Sequence, residues 1–470
     1  MQMIKRYIWL KKLKRVGGLT KMKFPKWAFS FILVAVIFLF LDACEGADKE
    51  NLGNNGEEMN NENNVNNEET AEETYDLGGR KITIASHFDM SPEEGTEMGD
   101  LQYERWKEVE EKYNISVEWI EIPYDQKVEQ LTTTSLAGEP FADLVQLGTL
   151  EAAGLAQDDF IYALDDLIDL SETKMTEGVQ DIGRVNPDRK VYLLGTLGSL
   201  GEGGGIYYNK SMFEQAGLED PYELQQKGEW TWEAFLNAAK TLTTGNQYGL
   251  SAEPFNLGSW LILSNDAQFL DTETGEIKLD DPHTMEALEF MADLYNVHNV
   301  IRPNDRSSDW EDPPIFFNEG LVGMTTGMTW ESSEERQEVP FDWGYVYFPM
   351  GPNATDYGAL RDGGGGMVIP KGIEDPELVY KIWEDMQIWE YEREDQVSWF
   401  ESIFPNQESV DTATQMLDNV KVHLWPVYNL ADGFYEFFDS ISTGEESPAQ
   451  AVGKIKPEAQ GLVDEFMGGE

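Results

Sequence analysis

The sequence predicts an α/β protein of two lobes, each with a parallel-rich sheet flanked by helices. Three observations support this prediction. Strand-like and helix-like segments alternate in βαβαβ order over residues 81–147. Two glycine-rich segments, 194–205 and 362–370, allow backbone rotation or a close approach of the backbone, as at a hinge. Between them, residues 205–235 form another strand, a helix and the start of a second helix.

The first lobe is predicted to begin with strand 81–86, whose residues alternate between apolar and polar types. A helix with an apolar face at 103–113, strand 117–122, helix 124–136 and strand 143–147 follow. Ligands of such sheets bind beyond the carboxyl ends of the strands. The loops after Ser86 and Leu147 are therefore predicted to face a site, and they contribute His87, Asp89 and Thr149.

Residues 205–235 contain the clearest local signals. Three β-prone residues, 206–208, precede Ser211, which is of a type that caps helix N-termini, and Gly217 is suited to end that helix. Thr231 is predicted to cap a second helix, whose apolar residues recur at helical spacing. Tyr207 and Trp232 are predicted to lie in the core.

The run YYNKSMFEQAGL at 207–218, followed by WTWEAFLNAAKTLT at 230–243, resembles a known family. It is similar to the extracellular solute-binding lipoproteins that deliver sugars to ABC importers, including maltose-binding protein, and weaker similarity extends over residues 81–466. The resemblance implies a two-lobed periplasmic-binding-protein-like fold with a ligand cleft between the lobes. It further implies a sugar or oligosaccharide ligand, permease subunits as partners, no cofactor and a monomer.

The resemblance also indicates ligand-binding residues. Glu253-Pro254-Phe255 and Trp260 are similar in order to a sugar-contacting segment of the maltose-binding branch, although Phe255 and Trp260 are equally compatible with the core. Aromatic faces stack on the apolar side of a pyranose, and carboxylates accept hydrogen bonds from its hydroxyls. Trp330, just after a predicted strand, is the favoured stacking residue. Gly364 in the return crossover and Trp425 in the C-terminal segment complete the predicted set.

The N-terminus has the pattern of an export signal. An apolar run from Trp27 to Leu41 follows several lysines and is too short for a comfortable membrane span. Leu41-Asp42-Ala43-Cys44 resembles a bacterial lipobox, which predicts a signal peptide at 1–43 and a lipid on Cys44. A single-pass anchor or a buried thiol is the alternative. The acidic, Asn-rich segment to residue 77 is predicted to be a disordered tether.

The predicted domain limits follow from the two glycine-rich crossovers. Residues 78–200 and 358–410 are assigned to the first lobe and 201–357 to the second. Residues 411–470 are predicted to form C-terminal helices that lie mainly on the second lobe.

The protein is predicted to be held at the outer face of a cytoplasmic membrane, as in Gram-positive bacteria.

Composition excludes several functions. Nine of the 34 Lys and Arg residues and one of the 88 Asp and Glu residues precede Cys44, which leaves 25 and 87 and a formal charge of −62. Such a surface repels nucleic acid. The chain has four histidines and no HExxH, GxSxG or CxxC motif, so no metal site is predicted. A surface-anchored carbohydrate-active enzyme, a glycosidase or lyase, is the alternative function.

Overall fold

The structure, a computed structural model, describes residues 75–468 except 93–94, 201–202, 273, 305–311, 333–338, 362 and 423–429. The predicted signal peptide, Cys44, most of the tether and Trp425 lie outside the described residues. Within the described ranges, none of the helices combines the length and apolar character needed to cross a bilayer.

The strands form two separate sheets. In chain order they are β1 (Arg80–Ser86), β2 (Ile115–Glu121), β3 (Leu144–Gly148), β4 (Gly204–Asn209), β5 (Tyr248–Ser251), β6 (Val322–Met328), β7 (Trp343–Tyr347), β8 (Ala359–Arg361), β9 (Gly365–Val368) and β10 (Val420–Val422).

Helices separate most of these strands along the chain. In chain order they are α1 (Glu97–Tyr113), α2 (Lys127–Leu136), α3 (Thr149–Gln157), α4 (Glu177–Gly183), α5 (Lys210–Ala216), α6 (Pro221–Gln226), α7 (Trp232–Leu242), α8 (Pro254–Ser264), α9 (Pro282–Ala292), α10 (Asp312–Asn318), α11 (Pro376–Asp385), α12 (Glu392–Ile403), α13 (Gln407–Met416), α14 (Ala431–Ser442) and α15 (Pro448–Gly468).

The first sheet has the strand order β2-β1-β3-β9. Strands β1, β2 and β3 are parallel, as the βαβαβ pattern predicts, and β9 pairs antiparallel with β3. The carboxyl ends of the three parallel strands therefore lie at the same edge as the start of β9. Helices α1 and α11 pack together on this lobe, with Val109 and Tyr380 in one apolar cluster.

The second sheet has the order β10-β8-β4-β6-β5, and β7 pairs with β4. It is mixed, so the expected excess of parallel strands holds in the first lobe only. Strand β4 runs antiparallel to β6, β7 and β8, while β5 is parallel to β6.

The local signals in residues 205–235 are confirmed with one correction. Thr231 accepts a hydrogen bond from the Ala234 N–H and caps α7, and Gly217 ends α5 with a φ of 68°. The prediction of Ser211 as the N-cap is wrong. Asn209 takes this role through its side chain, which accepts from the Met212 N–H at 3.0 Å, because an amide oxygen at the end of β4 reaches the first turn directly.

Tyr207 and Trp232 are buried, which confirms their predicted place in the core. The return to the first lobe differs from the predicted limit at residue 358. Strand β8 belongs to the second sheet, and residues of α12 and α13 such as Phe400 and Val410 share an apolar cluster with Trp343 of β7. Within residues 358–410, β9, α11 and nearby apolar residues such as Met386 and Trp389 therefore belong to the first lobe's sheet and principal cluster.

Candidate ligand-binding site

An aromatic group lies at the carboxyl edge of the first sheet. His87 follows β1, and its Nδ1 lies 3.1 Å from the side-chain oxygen of Gln146 on β3. The His87 ring makes edge contacts with Phe88 at 4.8 Å and Tyr124 at 5.1 Å between ring centroids. Phe88 is 46% and Tyr124 is 62% exposed, so both rings are open to a ligand.

An ion pair between buried Lys127 and partly buried Glu151 lies beside this group. Lys127 Nζ lies 3.0 Å from Glu151 Oε2 and 4.4 Å from the centre of the Tyr124 ring. The same carboxylate oxygen accepts the Gly148 N–H at 2.8 Å. The Lys127 side chain is only 1% exposed, and pairing with hydrogen-bonded Glu151 offsets the cost of burying its charge. The Lys127 ammonium thus holds the Tyr124 ring in place, and its own charge is neutralised by Glu151.

The same surroundings favour the neutral forms of His87 and Tyr124. Partial burial lowers the pKa of His87 from its ordinary value of 6.5, and the nearby Lys127 charge lowers it further. The contacts with Gln146 and Glu151 act in the opposite direction without reversing the shift. Burial, together with Glu151, raises the pKa of the Tyr124 hydroxyl. At neutral pH the edge therefore offers a neutral imidazole and a neutral phenol.

Trp330 lies at the edge of the second sheet where β6 ends. It is part of a single turn, Thr329–Ser332, that Glu331 stabilises by accepting the Met328 N–H at 2.7 Å. The buried Tyr207 hydroxyl donates to the Met328 carbonyl at 2.7 Å and fixes the start of this turn. Trp330 itself is 44% exposed. The turn is thus anchored while the indole remains accessible.

The second aromatic group of this edge lies after β5. Glu253 caps α8 by accepting the N–H groups of Phe255 and Asn256 at 3.0 and 2.7 Å, so that each carboxylate oxygen already receives one backbone bond. Phe255 is 7% exposed and stacks on Tyr435 of α14 with a centroid distance of 4.3 Å. Tyr435 is 53% exposed and covers Phe255.

The remaining predicted residues have different surroundings. Trp260 is buried in the second lobe, in edge contact with Phe348, and a Cβ on Gly204 would lie 2.5 Å from its ring. Asp89 is exposed, and hydrogen bonds from Ser91 lower the pKa of its carboxyl. Thr149 and Gly364 hydrogen-bond to each other. Trp425 lies outside the described residues.

The structure thus brings His87, Thr149 and Gly364 to the first edge and Glu253, Phe255 and Trp330 to the second. The sequence patterns missed Tyr124, Lys127 and Tyr435 as site residues. Tyr124 lies just after the carboxyl end of β2. Because ligands of such sheets bind beyond the carboxyl ends of the strands, the reasoning that selected His87 after β1 applies to Tyr124 as well. Tyr435 is the exposed ring in an aromatic-rich helix, but nothing in the pattern predicts that α14 packs beside Phe255.

No group of three or more His, Cys, Asp or Glu side chains is placed to hold a metal ion within the described ranges. The described functional groups of the two edges include aromatic rings, hydroxyls, amides, the Glu253 carboxylate and the paired Lys127 and Glu151. Such groups stack on and hydrogen-bond to a neutral polyhydroxylated molecule.

Comparison with known proteins identifies the family. The family model for bacterial extracellular solute-binding proteins matches residues 93–384, which is more than half of the chain. The chain therefore belongs to this family. A protein of Brucella abortus (strain 2308) described as a binding protein is 26% identical over 258 residues, which cover 52% of this chain and 58% of that protein. The chain thus matches little more than half the length of this relative.

Solved structures share the fold. An ABC substrate-binding protein from Listeria monocytogenes, in complex with cycloalternan, has a TM-score of 0.60 at 18% identity, covering 83% of this chain and 99% of that one. UgpB from Mycobacterium tuberculosis, in complex with glycerophosphocholine, has a TM-score of 0.58 at 17% identity with the same coverage. These similarities confirm the predicted two-lobed α/β fold.

The lowered pKa of His87 predicts that the free energy of unfolding depends on pH. Near pH 6 the folded state binds fewer protons at this site than the unfolded chain does, so the stability contributed by neutral His87 is fully present above about pH 6.5 and falls as the solution is acidified. The difference in free energy of unfolding between wild type and H87Q should therefore shrink from pH 7.5 to pH 5.5 in urea titrations. H283Q, on the exposed first turn of α9, is the matched control. If the difference in free energy of unfolding between the wild type and H87Q does not change with pH, the lowered pKa of His87 is contradicted.

Proposed function

We propose that this protein captures a sugar or oligosaccharide in the cleft between its two lobes and delivers it to an ABC importer. The observation that carries the proposal is the pair of exposed aromatic groups: Phe88 and Tyr124 lie at the first edge, and Trp330 and Tyr435 at the second. Rings on both sides can stack on the two faces of a sugar, and the family to which the chain belongs binds solutes outside the cell.

A neutral ligand fits the electrostatics of the site. Lys127 is paired with Glu151 and His87 favours its neutral form, so neither of these two described residues offers a free cation to an anionic ligand. The formal charge of −54 for the whole chain disfavours anions further. The proposal therefore favours neutral saccharides such as the cycloalternan held by the Listeria protein over anionic phosphorylated compounds.

We propose that the protein binds the saccharide and does not cleave it. The wide occurrence of carboxylates in this chain gives paired acids little diagnostic value for a glycosidase. At the second edge, Glu253 is committed to capping α8 through both of its oxygens. We therefore propose a binding protein instead of a surface-anchored glycosidase or lyase.

Ligand-dependent melting tests the function. The protein would be screened against neutral mono- and oligosaccharides, with glycerophosphocholine as a ligand of another class. A saccharide at 100 times its Kd should stabilise the protein by about 2.7 kcal/mol, and chromatography should recover that saccharide unchanged. Stabilisation by glycerophosphocholine alone, or cleavage of the saccharide, would reject the proposal.

Trp330→Ala tests the proposed stacking. Because the indole is 44% exposed, its removal should leave the ligand-free melting temperature nearly unchanged. Calorimetric affinity for the saccharide selected by the screen should fall by roughly 1–3 kcal/mol, if stacking on nucleic-acid bases is a fair guide. The control is Tyr103→Ala, which removes an exposed ring on α1. If Trp330→Ala instead lowers the ligand-free melting temperature strongly and leaves the affinity unchanged, Trp330 stabilises the fold and does not contact the ligand.

We also propose that a lipid on Cys44 anchors the protein to the outer face of the cytoplasmic membrane. Cys44 is the one cysteine of the chain and follows an apolar run and a small residue. Cys44→Ser should release or misprocess the protein in detergent partition while saccharide-dependent melting of the purified protein persists. Membrane association of the variant at the wild-type level would contradict lipidation.

A further inference from the structure

Strand β3 carries one polar side chain among apolar ones. Its sequence from residue 144 to 148 is LVQLG, in which Leu144, Val145 and Leu147 are buried and Gln146 is partly buried. An amide in such a place costs free energy unless its polar atoms find partners. The partners of Gln146 therefore explain its place in this strand.

The two ends of the Gln146 amide lie toward different strands. Strand β3 lies between β1 and β9 in the first sheet. The amide oxygen lies 3.1 Å from Nδ1 of His87, which follows β1. The amide nitrogen lies on the side of Gly365, the first residue of β9, where an added Cβ would come within 3.3 Å of it. The neighbouring strands thus determine which end of the amide meets the imidazole.

This contact determines the tautomer of His87. An amide oxygen accepts hydrogen bonds and cannot donate them, so Nδ1 carries the hydrogen and donates it to Gln146. In a neutral ring the other nitrogen, Nε2, is then an acceptor. Within the described part of the chain, Nε2 has no hydrogen-bond partner, and the ring is partly exposed. The lone pair of Nε2 is thus available to a hydroxyl group of a ligand.

The groups around the His87 ring disfavour a second proton. Tyr124, Lys127 of α2 and Glu151 of α3 are the titratable groups that act on it. Glu151 is already paired with Lys127 at 3.0 Å, and the phenol of Tyr124 is neutral. Burial lowers the pKa of His87, and the Lys127 charge lowers it further. A ligand that covers the ring removes water from it, which makes the charged form still less favourable.

We propose that Gln146 is a positioning residue that holds His87 as its Nδ1–H tautomer, so that Nε2 accepts a hydrogen bond from a ligand hydroxyl and binding requires the neutral ring. The ligand contact rests on the proposed function, whereas the tautomer is a property of the protein without ligand. The site then selects a ligand group that donates a hydrogen bond. Its affinity falls as the solution becomes acidic, because an imidazolium offers no acceptor and would be covered without a free counter-charge.

Nitrogen NMR of the histidine rings tests the tautomer without a ligand. The parent protein is the full chain carrying Cys44→Ser, which has four histidines, and His87→Gln identifies the signals of His87. At pH 7.5 the parent should carry the hydrogen on Nδ1. Gln146→Leu, which keeps the size and removes the acceptor, should populate the Nε2–H form. The Nε2–H form in the parent, or an unchanged tautomer in Gln146→Leu, would overturn the proposal.

Gln146→Glu keeps an acceptor at the same place and adds a charge. It should retain the Nδ1–H form and raise the pKa of His87, which the same NMR signals report in a pH titration. This variant decides the matter if Gln146→Leu does not fold. A pKa of His87 that Gln146→Glu leaves unchanged would show that residue 146 does not act on the ring.

The pH dependence of affinity tests the role of Nε2. Cycloalternan is the first probe, and the saccharide with the largest melting shift replaces it if cycloalternan does not bind. Calorimetric affinity of the parent should fall by up to about tenfold for each pH unit below the pKa of His87, because binding must then release one proton. His283→Gln should keep this dependence, and His87→Gln should lose it between pH 7.5 and pH 5. An equal fall in His87→Gln would overturn the ligand contact. If no saccharide binds, the proposed function fails, while the NMR spectra still decide whether Gln146 positions His87.

Discussion

The paired backbone hydrogen bonds of Leu194 and Met367 hold the outgoing and the returning chain side by side at the first sheet. This pairing constrains the rest of the molecule. Because β4 starts where one crossing ends and β8 ends where the other starts, the second sheet must present the start of β4 and the ends of β6 and β8 toward the first lobe. The first sheet presents the ends of β1, β2 and β3 at the edge where β9 starts. The residues that follow these strand ends form the two aromatic edges.

The two edges achieve accessibility by different means. At the first, buried Lys127, paired with Glu151, lies against the Tyr124 ring, and half-buried His87 contacts Gln146. At the second, backbone turns and a helix cap place Trp330 and Phe255, and Tyr435 reaches the edge from a distant part of the chain. Charges at the first edge are thus used to hold rings in place. This arrangement supports a neutral ligand in a chain whose surface is strongly acidic.

Local patterns predicted the fold more fully than the site. The βαβαβ order, Thr231 and Gly217 gave correct elements because each depends on neighbours in sequence. Ser211 failed because Asn209 is also a good cap and is closer to the end of β4. Trp260 and Trp330 have the same side chain, but Trp260 is buried where α8 packs in the second lobe and Trp330 is exposed on the turn after β6. Only the tertiary packing decides which of the two is accessible. The hydrogen bonds between Thr149 and Gly364 join residues more than two hundred positions apart, which no local pattern can indicate.

The central claim is that a saccharide binds between the lobes and draws them together. Small-angle scattering of the protein, alone and with a saturating amount of the saccharide selected by melting, tests this claim most directly. The account predicts a smaller radius of gyration with ligand, since rotation of the lobes toward each other brings the aromatic edges onto the sugar. Superimposable scattering curves at saturation would contradict closure around the ligand.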